Sequence, residues 1–80
     1  MNQHELAQAG LGQIKSAILG FLETQPHGAS NAEIAEALGL RSDYEGEQKD
    51  YLCWSILGLL VNEGKIRYET PKNRKIYFLI

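Results

Sequence analysis

The sequence predicts an α+β fold in which three helices are followed by a two-stranded β-hairpin. Apolar residues recur at intervals of three and four through most of residues 6–63, the spacing that puts side chains on one face of a helix. From residue 65 onward β-branched and aromatic residues dominate, and a Thr-Pro-Lys-Asn turn divides them. Because the chain has only 80 residues, we expect residues 1–80 to form one small domain.

The first two helices are predicted at about residues 6–25 and 31–38. Pro26 follows the first, and proline disfavours helical geometry in the residue before it. Ser30 and Glu33 have the spacing of a capping box, in which each side chain bonds a backbone N–H of the other residue. This pattern marks the start of the second helix. Gly39 then suits the position just after its end.

The third helix is predicted at about residues 47–63, after an aperiodic loop over residues 41–46. One broad apolar side is expected to face the core, and Leu52 and Leu59 fall on the other side. The core side consists of Asp50, Cys53, Trp54, Ile56, Leu57, Leu60 and Val61. The closing hairpin spans residues 65–80, and its aromatic residues are expected to cover the helices. These are Tyr68, Tyr77 and Phe78.

Charge is distributed unevenly along the chain. The net charge is -2, which by itself argues against nucleic-acid binding. Residues 1–64 hold three basic and nine acidic side chains, whereas residues 65–75 hold five basic and one acidic. The sequence therefore predicts a basic hairpin tip on an acidic body.

The order of elements resembles the winged helix-turn-helix superfamily over residues 6–80. Residues 31–40, Asn-Ala-Glu-Ile-Ala-Glu-Ala-Leu-Gly-Leu, resemble the positioning helix and turn of such domains. Residues 59–66, Leu-Leu-Val-Asn-Glu-Gly-Lys-Ile, resemble the end of the recognition helix and the start of the wing. Residues 46–52 are also similar to winged-helix modules attached to restriction endonucleases. The resemblance implies a three-helix winged helix-turn-helix that binds duplex DNA, in transcription regulation or in a restriction system.

Eight residues are candidates for DNA contacts. The resemblance implies that the third helix enters the major groove while the wing touches the backbone or the minor groove. Lys72, Arg74 and Lys75 would contact phosphates, and Gln48 and Lys49 would reach base edges. The loop and the second helix would add backbone or phosphate contacts through Arg41, Tyr44 and Ser30. The alternative is that the basic tip is only a solvated cap on the hairpin. The acidic side chains near the third helix, Asp43, Glu45, Glu47 and Asp50, oppose DNA binding.

A second hypothesis is a module of the same fold that binds a protein. Leu52 and Leu59 are seven residues apart and would form an apolar stripe on the outward side of the third helix. The stripe would serve a homodimer or a larger protein. The chain ends within a hydrophobic strand, which is compatible with a domain of such a larger protein.

No motif indicates an enzyme, a cofactor site or a small-molecule site. Cys53 is the only cysteine, and we expect it to be a packed apolar residue rather than a reactive thiol. His4 and His27 have no neighbouring cysteine or histidine, so we expect no metal site. No apolar run approaches the ~20 residues of a membrane-spanning helix, and the first residues do not form a secretory signal. These features predict a cytoplasmic protein that does not enter the membrane.

Overall fold

The computed structural model describes residues 2–42 and 50–80. The described chain folds into α1 (Gln3–Glu23), α2 (Asn31–Leu38), α3 (Tyr51–Asn62), β1 (Ile66–Glu69) and β2 (Ile76–Leu79). This order confirms the predicted α+β layout of three helices and a two-stranded antiparallel hairpin, and it matches the arrangement of a winged helix.

Helix α1 begins earlier than predicted because Asn2 caps it. The Asn2 Oδ1 atom accepts a hydrogen bond of 2.8 Å from the backbone N–H of Glu5, one of the donors that a helix start leaves unpaired. The helix ends at Glu23 rather than at residue 25, and the Thr24 hydroxyl donates to the carbonyl of Phe21. The asparagine and glutamate three residues apart were the sequence signal for the earlier start.

Helix α2 has the predicted bounds and the predicted capping box. The Ser30 Oγ atom accepts from the Glu33 N–H at 3.2 Å, and the Ser30 N–H donates to Glu33 Oε1 at 2.9 Å. Gly39 follows the helix in the left-handed conformation, with φ 68°. Because only glycine adopts this conformation without steric cost, the end of α2 is fixed by sequence.

Helix α3 begins at Tyr51, four residues after the predicted start. Asp50 precedes it with φ 60°, outside helical geometry. The Asp50 carboxylate is buried and accepts hydrogen bonds from the Arg41 side chain and the Ser42 N–H. These contacts hold Asp50 in its turn, and the predicted helical residues 47–49 lie outside the described residues.

The core lies where the three helices meet the hairpin. Cys53 is fully buried there, as predicted. Trp54 was expected in the core, and this expectation was wrong, since 47% of the residue is exposed. It lies at the edge of the buried face of α3, where the neighbouring elements leave a concavity open. The buried apolar residues are Ile18, Leu22, Ala29, Ile34, Ala35, Cys53, Ile56, Leu57, Leu60, Ile66 and Tyr77.

The hairpin is joined to the helices through β2. Ala29, in the connection between α1 and α2, exchanges two backbone hydrogen bonds of 3.0 and 2.8 Å with Tyr77. Tyr77 is buried and Phe78 is half-buried, in agreement with the expected cover over the helices. Tyr68 provides less cover, since 45% of the residue is exposed although it lies on the same side of β1 as buried Ile66.

Candidate nucleic-acid interface

Arg74 connects the hairpin tip to the start of α2 through a hydrogen bond and an ion pair. Its Nη2 atom donates to Ser30 Oγ at 3.0 Å and lies 3.6 Å from Glu33 Oε1. Ser30 is only 4% exposed, and its hydroxyl oxygen already accepts the Glu33 N–H. The structure thus gives Ser30 a structural role, and its predicted phosphate contact would need Arg74 to move away.

The pKa of the Glu33 carboxyl is lowered at this junction. The largest cause is the hydrogen bond from the Ser30 backbone N–H, followed by the Ser30 side chain, and the positive charge of Arg74 lowers the pKa further. Burial acts in the opposite direction. Glu33 is therefore an anion at neutral pH and offsets part of the positive charge that Arg74 brings.

A second arginine lies near the start of α3. The Arg41 Nε atom donates to Asp50 Oδ1 at 2.9 Å, and its Nη1 atom lies 3.2 Å from Glu36 Oε2. Asp50 is 2% exposed, so Arg41 supplies the counter-charge that a buried carboxylate needs. The Arg41 side chain as a whole is half-exposed, so it is not sealed by these two carboxylates.

The lysines of the hairpin tip have different surroundings from the arginines. Lys72 and Lys75 are exposed and make no ion pair with any described residue. Lys72 lies at the turn with φ 53°, and Asn73 beside it has φ 64°, the positive value expected for asparagine. The Lys75 Nζ atom lies 4.5 Å from the centre of the Tyr68 ring, a cation–π contact.

A concavity of about 500 Å³ lies between the hairpin tip, the start of α2 and the start of α3. It brings together four predicted site residues, Ser30, Arg41, Arg74 and Lys75. Lys72 lies on the same hairpin but does not line it. The other predicted contacts, Tyr44, Gln48 and Lys49, lie outside the described residues.

Two aromatic residues at this surface were missed by the prediction. Trp54 lines the concavity, and its ring centre lies 5.6 Å from that of Tyr51, which is also exposed. The signal was their three-residue spacing, which puts neighbouring side chains on the same side of a helix. Asn31 was also missed, and it lines the concavity while its side-chain amide donates to the Asp50 carbonyl at 3.2 Å.

The predicted interface residues are both on the surface of α3. Leu52 is 47% exposed and Leu59 is 39% exposed. They lie on the flank of α3 opposite Trp54, so the apolar stripe is separate from the concavity. Leu6, near the start of α1, is another large exposed apolar residue.

The remaining features of residues 2–42 and 50–80 concern metal ions, membranes and the Cys53 thiol. These residues contain no cluster of three or more histidine, cysteine, aspartate or glutamate side chains that would hold a metal ion. None of the described helices is long and apolar enough to span a bilayer. Burial, and then the negative charge of Asp50, raise the pKa of the Cys53 thiol to about 11.

In comparisons with known proteins, no family model matches the chain, and no curated protein or solved structure is significantly similar to it.

Proposed function

We propose that the protein is a non-catalytic DNA-binding module that docks on duplex DNA through the hairpin tip and the adjoining start of α3. The observation that carries the proposal is the position of the tip, where Arg74 contacts Ser30 and the basic side chains border the concavity beside α3. A basic hairpin tip next to the first turn of α3, where Tyr51 is exposed, offers one docking surface.

The contacts divide into two groups by their local charge. Lys72 and Lys75 carry charges that no described carboxylate neutralises, so they are the strongest phosphate ligands. Arg41 and Arg74 are held by carboxylates of α2 and of Asp50 and contribute less net charge. Gln48 and Lys49 remain proposed base-edge contacts, and Tyr44 remains a proposed backbone contact.

Binding to a labelled duplex, followed by fluorescence anisotropy at several salt concentrations, tests the proposal. Three to five phosphate contacts give a slope of log affinity against log salt of roughly -3 to -5. Lys75→Ala is expected to lower affinity and to reduce the slope by about 1. No binding at tens of micromolar protein in low salt would contradict the proposal.

Lys15→Ala is the matched control for the loss of one lysine. The Lys15 ammonium lies on α1 and pairs with Glu63 at 2.6 Å, so it neither faces the tip nor carries an unneutralised charge. The control is expected to bind with the affinity and the salt slope of the unchanged protein. An equal loss for Lys15→Ala and Lys75→Ala would show that binding depends on overall charge rather than on the hairpin tip.

The exposed leucines of α3 favour a second candidate function, self-association or docking on a larger protein. Leu52 and Leu59 are partly exposed and separated by two helical turns. Large apolar side chains at this spacing form a stripe of the kind that an interface covers. A homodimer would also be compatible with DNA binding, since symmetric dimers read paired half-sites.

Sedimentation equilibrium tests the self-association version of this second function. Dimerisation through this stripe predicts that Leu52→Lys shifts the protein to monomer, whereas Leu6→Lys on α1 does not. If the protein is a monomer at the highest attainable concentration, self-association through this stripe is excluded.

A further inference from the structure

A second, smaller concavity adjoins the first between α3 and the hairpin. Its volume is about 240 Å³, and Trp54, Lys75 and Tyr77 form walls of both concavities. Its remaining walls are Gly58, Val61, Asn62 and Tyr68. The two concavities therefore share an aromatic and basic boundary.

The lining of this smaller concavity combines a ring face, a cation and an amide. Trp54 is half-exposed, and the Lys75 ammonium is held above the exposed Tyr68 ring. None of the seven described residues that line it is acidic, in contrast to the larger concavity, which includes Asp50. The Asn62 amide offers both a donor and an acceptor. This chemistry suits a planar, hydrogen-bonding ring that is attached to an anion.

Gly58 leaves the wall of the smaller concavity without a side chain at this turn of α3. It lies inside α3, where glycine is less favourable than alanine by roughly 0.5–1 kcal/mol. A Cβ atom built on Gly58 meets no atom within 4 Å, so packing within the described chain does not require a glycine there. A side chain at this position would instead occupy part of the concavity.

We infer that this smaller concavity accepts one unpaired base of the bound DNA, which stacks on Trp54 while its phosphate lies at Lys75 and Arg74. The inference rests on the proposed DNA binding and adds a preference for duplexes that carry an extrahelical or overhanging base. Base–aromatic stacking works with any base because each has a flat π face, and a basic boundary holds the attached phosphate. A fully paired base is stacked within the duplex and cannot enter.

Trp54 supplies a direct readout, because it is the only tryptophan in the chain. Three labelled duplexes of the same length are compared: one fully paired, one with a single unpaired thymine, and one with an abasic residue at that position. Anisotropy of the label reports binding of each duplex, and quenching of Trp54 fluorescence reports stacking. The duplex with the unpaired thymine is expected to bind roughly ten-fold more tightly than the other two and to be the one that quenches Trp54 strongly.

Gly58→Leu and Gly12→Leu form a matched pair for the same measurement. Both replace an exposed helical glycine with a good helix former, and neither new Cβ meets an atom within 4 Å. Only Gly58 lines the concavity, so Gly58→Leu is expected to abolish the preference for the unpaired base while Gly12→Leu retains it. Circular dichroism checks the fold, and Trp54→Leu, tested by anisotropy, provides a second variant that removes the ring.

The outcomes separate this inference from the proposed function. Equal affinities for the three duplexes, with no base-dependent quenching, would overturn the inference and leave duplex binding intact. A preference that persists in both Gly58→Leu and Trp54→Leu would place the base elsewhere and overturn it as well. Absence of binding to all three duplexes would instead refute the proposed function.

Discussion

Arg74 and Ser30, which are 44 positions apart in the sequence, meet through a hydrogen bond of 3.0 Å that joins the hairpin tip to the start of α2. The same serine oxygen caps α2 by accepting the Glu33 N–H. One oxygen atom thus caps a helix and also accepts a hydrogen bond from the hairpin beside it.

Alanine substitutions separate the two roles of this contact. Ser30→Ala removes the cap and is expected to lower the free energy of unfolding by about 1 kcal/mol, as measured by urea denaturation. Arg74→Ala is expected to cost less than about 0.5 kcal/mol, because its side chain is 63% exposed and such ion pairs contribute little. It should nevertheless weaken duplex binding. A stability loss for Arg74→Ala as large as that for Ser30→Ala would contradict this division.

Much of the fold could be predicted because its determinants are local. The Ser30–Glu33 capping box and Gly39 fix the ends of α2 within a few residues of sequence. The beginning of α3 at Tyr51 could not be predicted in this way. It depends on Asp50, whose turn is stabilised by Arg41, nine residues away, and by the Ser42 N–H, eight residues away.

The candidate site was harder to predict, because its contacts join residues that are far apart in the sequence. The basic character of Lys72, Arg74 and Lys75 is visible in the sequence, but the pairing of Arg74 with Glu33 joins distant segments. The exposure of Trp54 likewise depends on how α3 and the hairpin leave a gap between them. Periodicity assigns a side of the helix, and tertiary packing decides whether that side is covered.

Gly28 is expected to be the glycine least tolerant of substitution among those described. It has φ +76°, and a Cβ atom there would lie 2.6 Å from Ile76 Cγ2, 2.7 Å from Phe78 Cε1 and 2.8 Å from the Tyr77 carbonyl oxygen. Gly28→Ala therefore combines left-handed backbone strain with a clash against β2, and we expect a loss of about 3 kcal/mol in the free energy of unfolding.

Gly39→Ala is the control for backbone strain alone. Gly39 has φ +68°, but a Cβ atom there meets nothing within 4 Å. Its substitution is expected to cost about 1 kcal/mol in the same urea denaturation experiment. Equal losses for the two variants would show that the approach of β2 to Gly28 is not a tight contact.

Protonation of Glu33 is expected to lower the stability of the protein at acidic pH. In the folded protein its pKa is lowered below the ordinary value of 4.5 by the Ser30 hydrogen bonds and by Arg74. The stability that the ionised Glu33 contributes is therefore fully present above the pKa of the unfolded chain. It is lost as the pH falls below 4.5 and through the folded-state pKa. Thermal denaturation should show Glu33→Gln to be less stable than the unchanged protein at pH 7, with the difference vanishing at low pH.

Glu36→Gln controls for the loss of a carboxylate on the same helix. Glu36 is exposed and pairs with Arg41, but it takes no part in the capping box. We expect this variant to retain the acid-dependent loss of stability that Glu33→Gln lacks. A stability difference for Glu33→Gln that is independent of pH would mean that the charge of Glu33 does not stabilise the start of α2.

Cys53 is expected to be unreactive in the folded protein. The thiolate is the nucleophilic form, and burial together with the charge of Asp50 raises the pKa of the thiol to about 11. A disulfide reagent at pH 8 should therefore modify Cys53 only at the rate at which the protein opens. Rapid modification under native conditions would show that the core around α3 opens readily.

Because the pKa of Cys53 is raised, the protein is expected to lose stability at alkaline pH. The unfolded chain releases the thiol proton near pH 9, whereas the folded protein retains it until about pH 11. Stability from the buried neutral thiol is therefore fully present below pH 9 and declines as the pH rises toward 11. Cys53→Ala removes this contribution, so its melting temperature should fall less steeply over the same interval. Parallel declines in the two proteins would indicate that other groups, such as Tyr77 with its pKa raised by burial, cause the alkaline loss.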